Sequence, residues 1–264
     1  MNLQTLRPTF FTAACFMLSI GCAVPSAESE GDLGADEASV VSVNGLSSVN
    51  GLSSVNGLSS VNGLSSVNGL AGLGVMDGVG WMTSASGRNT LAYLVRCALP
   101  ENRFILKKDQ YGKWYRFDGA IGVAPGWEWG SCNTECQEWV SACLMAHINL
   151  AGNNVPIWVM AENPAIQFGT SASYPNREGG YFGNLFLSPP VAYGCKGPHA
   201  SEGVAAGRMC GGQSGCPYRT AGDYCISECS YNLSGTAYMA CAAAPGLTKS
   251  FTHVITTYLP PSTN

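Results

Sequence analysis

The sequence predicts an α+β fold, in which a single disulfide-rich globular domain is preceded by a flexible hexapeptide-repeat tether. Three observations lead to this prediction. An apolar amino-terminal run precedes a low-complexity stretch with a six-residue repeat, and residues 89–264 combine ten cysteines with helix-like and strand-like patterns. This last segment is long enough to bury one hydrophobic core.

Residues 1–21 have the layout of a secretion signal peptide. Arg7 supplies positive charge, and the apolar run from Phe10 to Ile20 has the length of a signal core but is too short to span a bilayer. The run ends in Gly21-Cys22, which resembles the lipobox of bacterial lipoproteins, where the cysteine is acylated and becomes the first residue. We therefore expect an exported protein that is lipidated on Cys22, sorted to the outer membrane and faces the periplasm or the cell surface. Cleavage after Ala23 by the ordinary signal peptidase is the alternative.

Residues 22–88 are predicted to form the lipidated tether. The motif SVNGLS occurs four times from Ser42 and is followed by a fifth copy that ends in Ala71, and the Asn-Gly pair in each copy favours a turn. Five hexads are too few to stack into a solenoid that buries its own apolar face. A flexible spacer with an r.m.s. reach of about 45 Å is predicted, independent of a domain that starts at Asn89. A short solenoid or a partner-docking array is the alternative.

The charges of the predicted domain balance. Residues 89–264 contain eleven Lys and Arg and eleven Asp and Glu, so no net basic field attracts nucleic acid or an anionic membrane face. Nucleic acid is therefore not an expected partner. The membrane is expected as a partner only through the lipid anchor.

Cysteine usage predicts a disulfide framework. Two pairs have the Cys-x-x-x-Cys spacing of some zinc ligands, but the oxidising environment of an exported protein favours disulfides. The sequence therefore predicts up to five disulfides and neither a metal site nor another cofactor. The candidate cysteines are Cys97, Cys132, Cys136, Cys143, Cys195, Cys210, Cys216, Cys225, Cys229 and Cys241.

Secondary structure is predicted most clearly around Cys136. Thr134 and Gln137 form a capping-box pattern, so a helix is expected from about Glu135 to Ala151. Cys136 and Cys143 would then lie about 10.5 Å apart along the axis and each would bond outward to another segment. The other predicted elements are a helix at 91–99, a hairpin at 104–108 and 114–117, and strands at 155–160, 181–187 and 251–258.

Three segments suggest a family. Residues 94–100 (LVRCALP), 136–143 (CQEWVSAC) and 178–186 (EGGYFGNLF) resemble parts of uncharacterised cysteine-rich exported proteins of myxobacteria, some of which also carry Asn-Gly-Leu repeats. The resemblance covers roughly residues 91–187. It implies lineage and a surface location, and it transfers no functional site.

No residue is predicted to be catalytic. Cys143 and His147 lie one helical turn apart and could form a nucleophile and base or two metal ligands, but a disulfide cysteine beside a helix-terminal histidine is favoured. His199 and His253 have no recognisable motif around them. No pair of carboxylates can be assigned to acid and base roles from sequence alone.

A binding site is the favoured functional prediction. In the segment 126–130 an extended backbone would place Trp127 and Trp129 on one face, and Tyr181 adds a further aromatic ring. Aromatic faces beside amides and carboxylates suit sugars, although large aromatics also anchor the cores of small domains. The expected function is a surface ligand-binding or adhesion module for a glycan or a protein. A secreted hydrolase and a structural envelope protein are the alternatives.

Overall fold

The computed structural model describes residues 46–50, 52–53, 67–149, 155–200 and 219–262. The predicted signal peptide, Cys22, Cys210, Cys216 and most of the repeat lie outside these residues. Among the residues described, no helix combines the length and the apolar character needed to cross a bilayer.

The described chain contains both helices and strands, which confirms the α+β class. The helices are α1 (Ala85–Ala98), α2 (Thr134–Ala146) and the single turn α3 (Cys225–Glu228), with 3-10 turns at Gly80–Thr83 and Pro125–Glu128. The strands are β1 (Leu46–Asn50), β2 (Leu52–Ser53), β3 (Phe104–Lys108), β4 (Trp114–Asp118), β5 (Ile148–Asn149), β6 (Val155–Met160), β7 (Asn176–Asn184), β8 (Val191–Lys196), β9 (Arg219–Tyr224), β10 (Cys229–Tyr231), β11 (Tyr238–Cys241) and β12 (Ile255–Leu259).

A six-stranded sheet forms the centre of the domain, in the order β1-β6-β12-β7-β8-β9. Neighbouring strands are antiparallel except for the parallel pair β8 and β9. Every residue of β12 is buried, because β12 lies in the middle of the sheet. Helix α2 packs on β7, and the backbone N–H of Leu185 donates to the Ser141 hydroxyl at 2.9 Å.

Local signals explain both long helices. The Ser84 side chain caps α1 by accepting a hydrogen bond from the Gly87 N–H at 3.0 Å. The Asn133 side chain caps α2 by accepting one from the Cys136 N–H at 3.0 Å, so Asn133 rather than Thr134 is the capping residue. Helix α2 ends at Ala146, earlier than predicted, because the next residues turn into β5 and pair with β2.

The predicted hairpin is confirmed as β3 and β4, paired from Phe104↔Asp118 to Lys108↔Trp114. Alternate residues point to opposite faces, which places Ile105 and Phe117 inside and Phe104 and Trp114 outside.

Several core residues and the start of α1 lie upstream of Asn89, where the predicted domain begins. Leu70 and Met82 are fully buried in the main core, and α1 begins at Ala85. These side chains belong to the core because residues 67–83 fold back over the hairpin and over the 3-10 turn at Pro125–Glu128. Upstream, the repeat also contributes β1 to the edge of β6 and β2 to the pair with β5.

Disulfides link the described elements, as predicted. The pairs are Cys97–Cys143, Cys132–Cys136, Cys195–Cys225 and Cys229–Cys241. Cys136 and Cys143 are not bonded to each other, in agreement with the prediction. Only Cys143 joins α2 to a distant segment, however, because Cys136 bonds to Cys132 just ahead of the same helix.

Candidate ligand-binding groove

The structure separates the three aromatic residues predicted to bind a ligand. Trp127 is 1% exposed and Trp129 is 71% exposed, while Tyr181 is fully buried in β7. The segment is a 3-10 turn rather than an extended strand, so its alternate side chains do not share a face. Trp127 is a core residue, whose indole N–H donates to the Asn68 carbonyl at 3.2 Å and whose ring meets Phe186 edge-on at 5.5 Å.

Two adjoining pockets form a groove on another part of the domain. Their volumes are about 490 and about 450 Å³, and Gly122 and Ala165 line both of them. This size is typical of sites for small ligands. Three segments supply the walls described below, namely the loop 119–125, the start of α2 and the loop 161–167, and the turn 100–102 adds a fourth stretch to the second pocket.

The first wall is fixed to the carboxyl end of α1. The N–H groups of Ile121, Val123 and Ala124 donate to the carbonyls of residues 96, 97 and 98 at 2.8, 2.9 and 3.0 Å. The last carbonyls of a helix have no partner within the helix, so this loop satisfies them. The loop needs a glycine at position 122, since the φ of +83° is unfavourable for other residues and an added Cβ would lie 3.1 Å from Pro100.

The second wall is the first turn of α2. The Cys132–Cys136 disulfide closes this turn, and the Gln137 side-chain amide donates to the Cys132 carbonyl at 2.9 Å. Gln137 in turn accepts a hydrogen bond from the Asn184 side chain at 3.0 Å, which links the turn to β7. Glu135 and Asn133 remain exposed beside the groove.

The third wall depends on Asn163, a buried residue that organises its own loop. Its side-chain oxygen accepts from the Ala165 N–H at 3.0 Å, and its carbonyl accepts from the N–H groups of Ile166 and Gln167 at 3.0 and 2.8 Å. Its side-chain nitrogen lies 3.5 Å from the Val123 carbonyl. Asn163 therefore joins the third wall to the first.

Trp139 closes the groove from the helix side. It is 4% exposed, lies on α2 and meets the His253 ring edge-on at 4.9 Å. His253 Nδ1 forms a hydrogen bond with the Glu138 carboxylate on the same helix. This pair links α2 to the segment just before β12 and holds the ring against Trp139.

The groove lining combines hydrogen-bonding and apolar groups. The polar side chains are Glu101, Asn102, Asn133, Glu135 and Asn163, and the apolar ones come mainly from Pro100, Ile121, Val123, Pro125, Trp139 and Pro164. No lysine or arginine is among the described residues that line either pocket. The site can therefore accept hydrogen bonds from hydroxyl or amino groups, and it does not favour an anion.

Cys143 and His147 are not arranged as a nucleophile and base. Cys143 is bonded to Cys97, so it offers no thiolate. His147 is buried at the end of α2 and donates from Nδ1 to the Cys143 carbonyl at 2.7 Å, with both sulfurs 3.8 to 3.9 Å away. A second group, Cys195, Cys229 and Cys241, also lies close enough for a metal ion, but these sulfurs form disulfides too.

The groove was not predicted from the sequence. Its residues come from four stretches around positions 101, 122, 135 and 164, and no motif links them. One local signal could have pointed to part of it. Asn133 is a good cap residue directly before the apolar helix pattern, which marks a polar helix start.

Comparison with known proteins gives no family assignment, since no family model, curated protein or solved structure matches the chain. The geometry of the groove therefore carries the functional argument.

Proposed function

We propose that the chain is a cell-envelope lipoprotein whose domain binds a neutral or amino-containing glycan in the groove beside α2. The observation that carries this proposal is the lining: carboxylate and amide groups from Glu101, Asn102, Asn133 and Glu135 stand beside apolar side chains. Sugars present hydroxyl groups around apolar ring faces. Such a lining matches both parts of that surface.

The rigidity of the walls supports binding. The loops are held by backbone hydrogen bonds to the end of α1 and by Asn163, and the helix start is closed by a disulfide. A site that is already ordered loses little conformational entropy when a ligand binds. Small ligand sites of this size are usually formed before the ligand arrives.

Variants of exposed lining residues test the site. We expect Glu135→Ala and Asn102→Ala each to weaken glycan binding by roughly 10-fold or more, since a hydrogen bond to a ligand is worth about 1–3 kcal/mol. Both side chains are exposed, so the thermal midpoint should change little. Glu162→Ala is the matched control, because Glu162 is an exposed carboxylate in the same loop as the third wall but is not among the residues that line the groove.

The measurement is a glycan array followed by titration calorimetry of the strongest hit. Failure of the intact domain to bind any glycan, or equal affinities for Glu135→Ala and Glu162→Ala, would reject the groove as a glycan site. Release of shorter sugars from a bound oligosaccharide would favour the hydrolase alternative instead.

The envelope location rests on the signal sequence and Cys22. We expect Cys22→Ala to abolish labelling by a palmitate analogue and to move the protein to the soluble fraction, because acyl chains on this cysteine supply the membrane anchor. Unchanged membrane partitioning of the variant would contradict lipidation.

A further inference from the structure

The domain holds residues 67–71, the described part of the fifth copy of the repeat, by their backbone. The N–H groups of Leu70 and Ala71 donate to the carbonyls of Trp127 and Glu128, both at 2.9 Å. These contacts do not depend on which side chains the repeat carries.

At two positions of this copy, the shape of the site restricts which residue fits. Leu70 is fully buried in the main core. A Cβ added to Gly69 would lie 2.5 Å from the Trp129 backbone, so the position requires glycine. Val67, in contrast, is 75% exposed. The site therefore selects the Gly-Leu pair at the centre of the repeat.

Lys107 closes the site at its far end. Its buried ammonium group donates to the carbonyls of Ala71 and Gly72 at 3.0 and 2.8 Å. Because both acceptors are backbone atoms, a serine in place of Ala71, as in the other four copies, would offer the same contact.

Every other copy of the repeat carries the same Asn-Gly-Leu sequence. The fourth copy, Ser60 to Ser65, lies immediately upstream of the fifth, and its Gly63 and Leu64 correspond to Gly69 and Leu70. The entropy of closing a loop grows slowly with its length, so looping out six residues adds only a modest cost.

We propose that this surface is a peptide-binding site for the Asn-Gly-Leu motif, and that the fourth copy of the same chain can replace the fifth copy in it. The exchange shortens the segment between β2 and the site by six residues. The six displaced residues form a loop that ends before Gly74. Gly74 keeps its place, because an added Cβ there would lie 2.5 Å from the Asn68 carbonyl oxygen, so that no repeat residue other than glycine fits this position.

Substitution of the selected leucine tests the exchange in the full chain. Leu70→Ala should lower the thermal midpoint by only a few degrees when Leu64 is present to replace it. With Leu58→Ala and Leu64→Ala added, the same substitution should lower the midpoint by roughly 5–15 °C, as expected for a cavity in place of a buried leucine. The chain with Leu58→Ala and Leu64→Ala but an intact Leu70 is the control and should match the unaltered protein.

Amide hydrogen exchange provides a second measurement on the Leu70→Ala chain alone. Protection should move from the amides of residues 70 and 71 to those of Leu64 and Ser65. The proposal would be overturned if Leu70→Ala lowered the thermal midpoint equally with and without Leu58→Ala and Leu64→Ala. Hydrogen-exchange protection that stays at residues 70 and 71 would also overturn it. A midpoint of Leu70→Ala that rises with protein concentration would show that a second molecule supplies the copy, and would overturn the assignment to the same chain.

Discussion

At the scale of single residues, Asp109 shows how one carboxylate organises a turn. Its side chain accepts hydrogen bonds from the N–H groups of Tyr111 and Lys113, both at 2.9 Å, and from the Tyr115 hydroxyl at 3.1 Å. Burial by itself would raise the pKa of Asp109, but these donors and the nearby Arg88 outweigh it and lower that pKa. Sequence alone identified the turn between β3 and β4, and the structure shows what holds it.

The lowered pKa of Asp109 predicts a loss of stability in acid. Its folded pKa lies below its ordinary value of 3.8, so the ionised side chain contributes stability above about pH 4 that is lost as the pH falls through the folded pKa. Urea midpoints measured at a series of pH values should therefore fall less steeply in acid for Asp109→Asn than for the unaltered protein. Asp118→Asn is the control, because that side chain is exposed and pairs only with Arg116 in the described structure. Identical acid slopes for the protein and Asp109→Asn would contradict this prediction.

Gly69 provides a second test at this scale. In the chain that already carries Leu58→Ala and Leu64→Ala, so that no upstream copy can replace the fifth, we expect Gly69→Ala to destabilise the domain by about 1–3 kcal/mol, because the new Cβ would meet the Trp129 backbone at 2.5 Å and force it to move. Gly126→Ala is the matched control in the neighbouring 3-10 turn, since no atom lies within 4 Å of its added Cβ. Chemical denaturation measures both free energies of unfolding. Equal values for the two variants would mean that the fifth repeat copy is not packed on the domain.

At the scale of elements, the link between α1 and α2 sets the position of the groove. The Cys97–Cys143 bond joins the two helices, and the end of α1 carries the loop that forms the first wall. The sequence predicted both helices, but it placed the start of α1 six residues too late and the end of α2 five residues too late. It could not place the groove, because the loop reaches α1 through backbone contacts that no side-chain pattern specifies.

The two disulfides of α2 should differ in their contribution to stability. Cys97 and Cys143 are 46 residues apart, whereas Cys132 and Cys136 are four residues apart. Loop-closure entropy then predicts a loss of about 4 kcal/mol when the first pair is replaced by alanine and about 2 kcal/mol for the second. Guanidinium denaturation of the two double variants measures this difference. A larger loss from the Cys132–Cys136 pair would show that strain or packing, rather than chain entropy, dominates.

At the scale of the whole molecule, the position of the domain boundary decides which amino-terminal residues can be removed without destabilising the domain. A chain that starts at Asn89 lacks Leu70, Met82 and the first turn of α1. Burial of those two side chains is worth about 3–6 kcal/mol, which is a large part of the stability of a typical domain. The independence expected from the repeat composition therefore does not extend to residues 67–88.

Truncation tests this boundary. We expect the chain starting at Asn89 to lose most of its cooperative thermal transition, and the chain starting at Leu46 to retain the transition of the full chain, since it keeps every described residue. Calorimetry of both fragments gives the comparison. A transition for the Asn89 fragment within a degree or two of the full chain would support the boundary predicted from sequence.

The sequence by itself determined the features that depend on local order or on composition. A turn at Asp109 between two strand-like runs predicted the hairpin. The capping-box pattern of Thr134 and Gln137 with the apolar period after it predicted α2, and β-branched residues predicted β6 with its observed limits. The cysteines predicted disulfides, because their number is even in a domain that follows a predicted secretion signal.

Only the tertiary structure decided which side chains face the solvent and which distant segments meet. Trp127 is buried and Trp129 is exposed because a 3-10 turn replaces the expected strand, and Leu70 joins the core although its neighbours repeat a spacer sequence. The groove forms where three loops converge on the ends of two helices. Such convergence depends on backbone hydrogen bonds and packing between residues far apart in the chain, which local patterns do not encode.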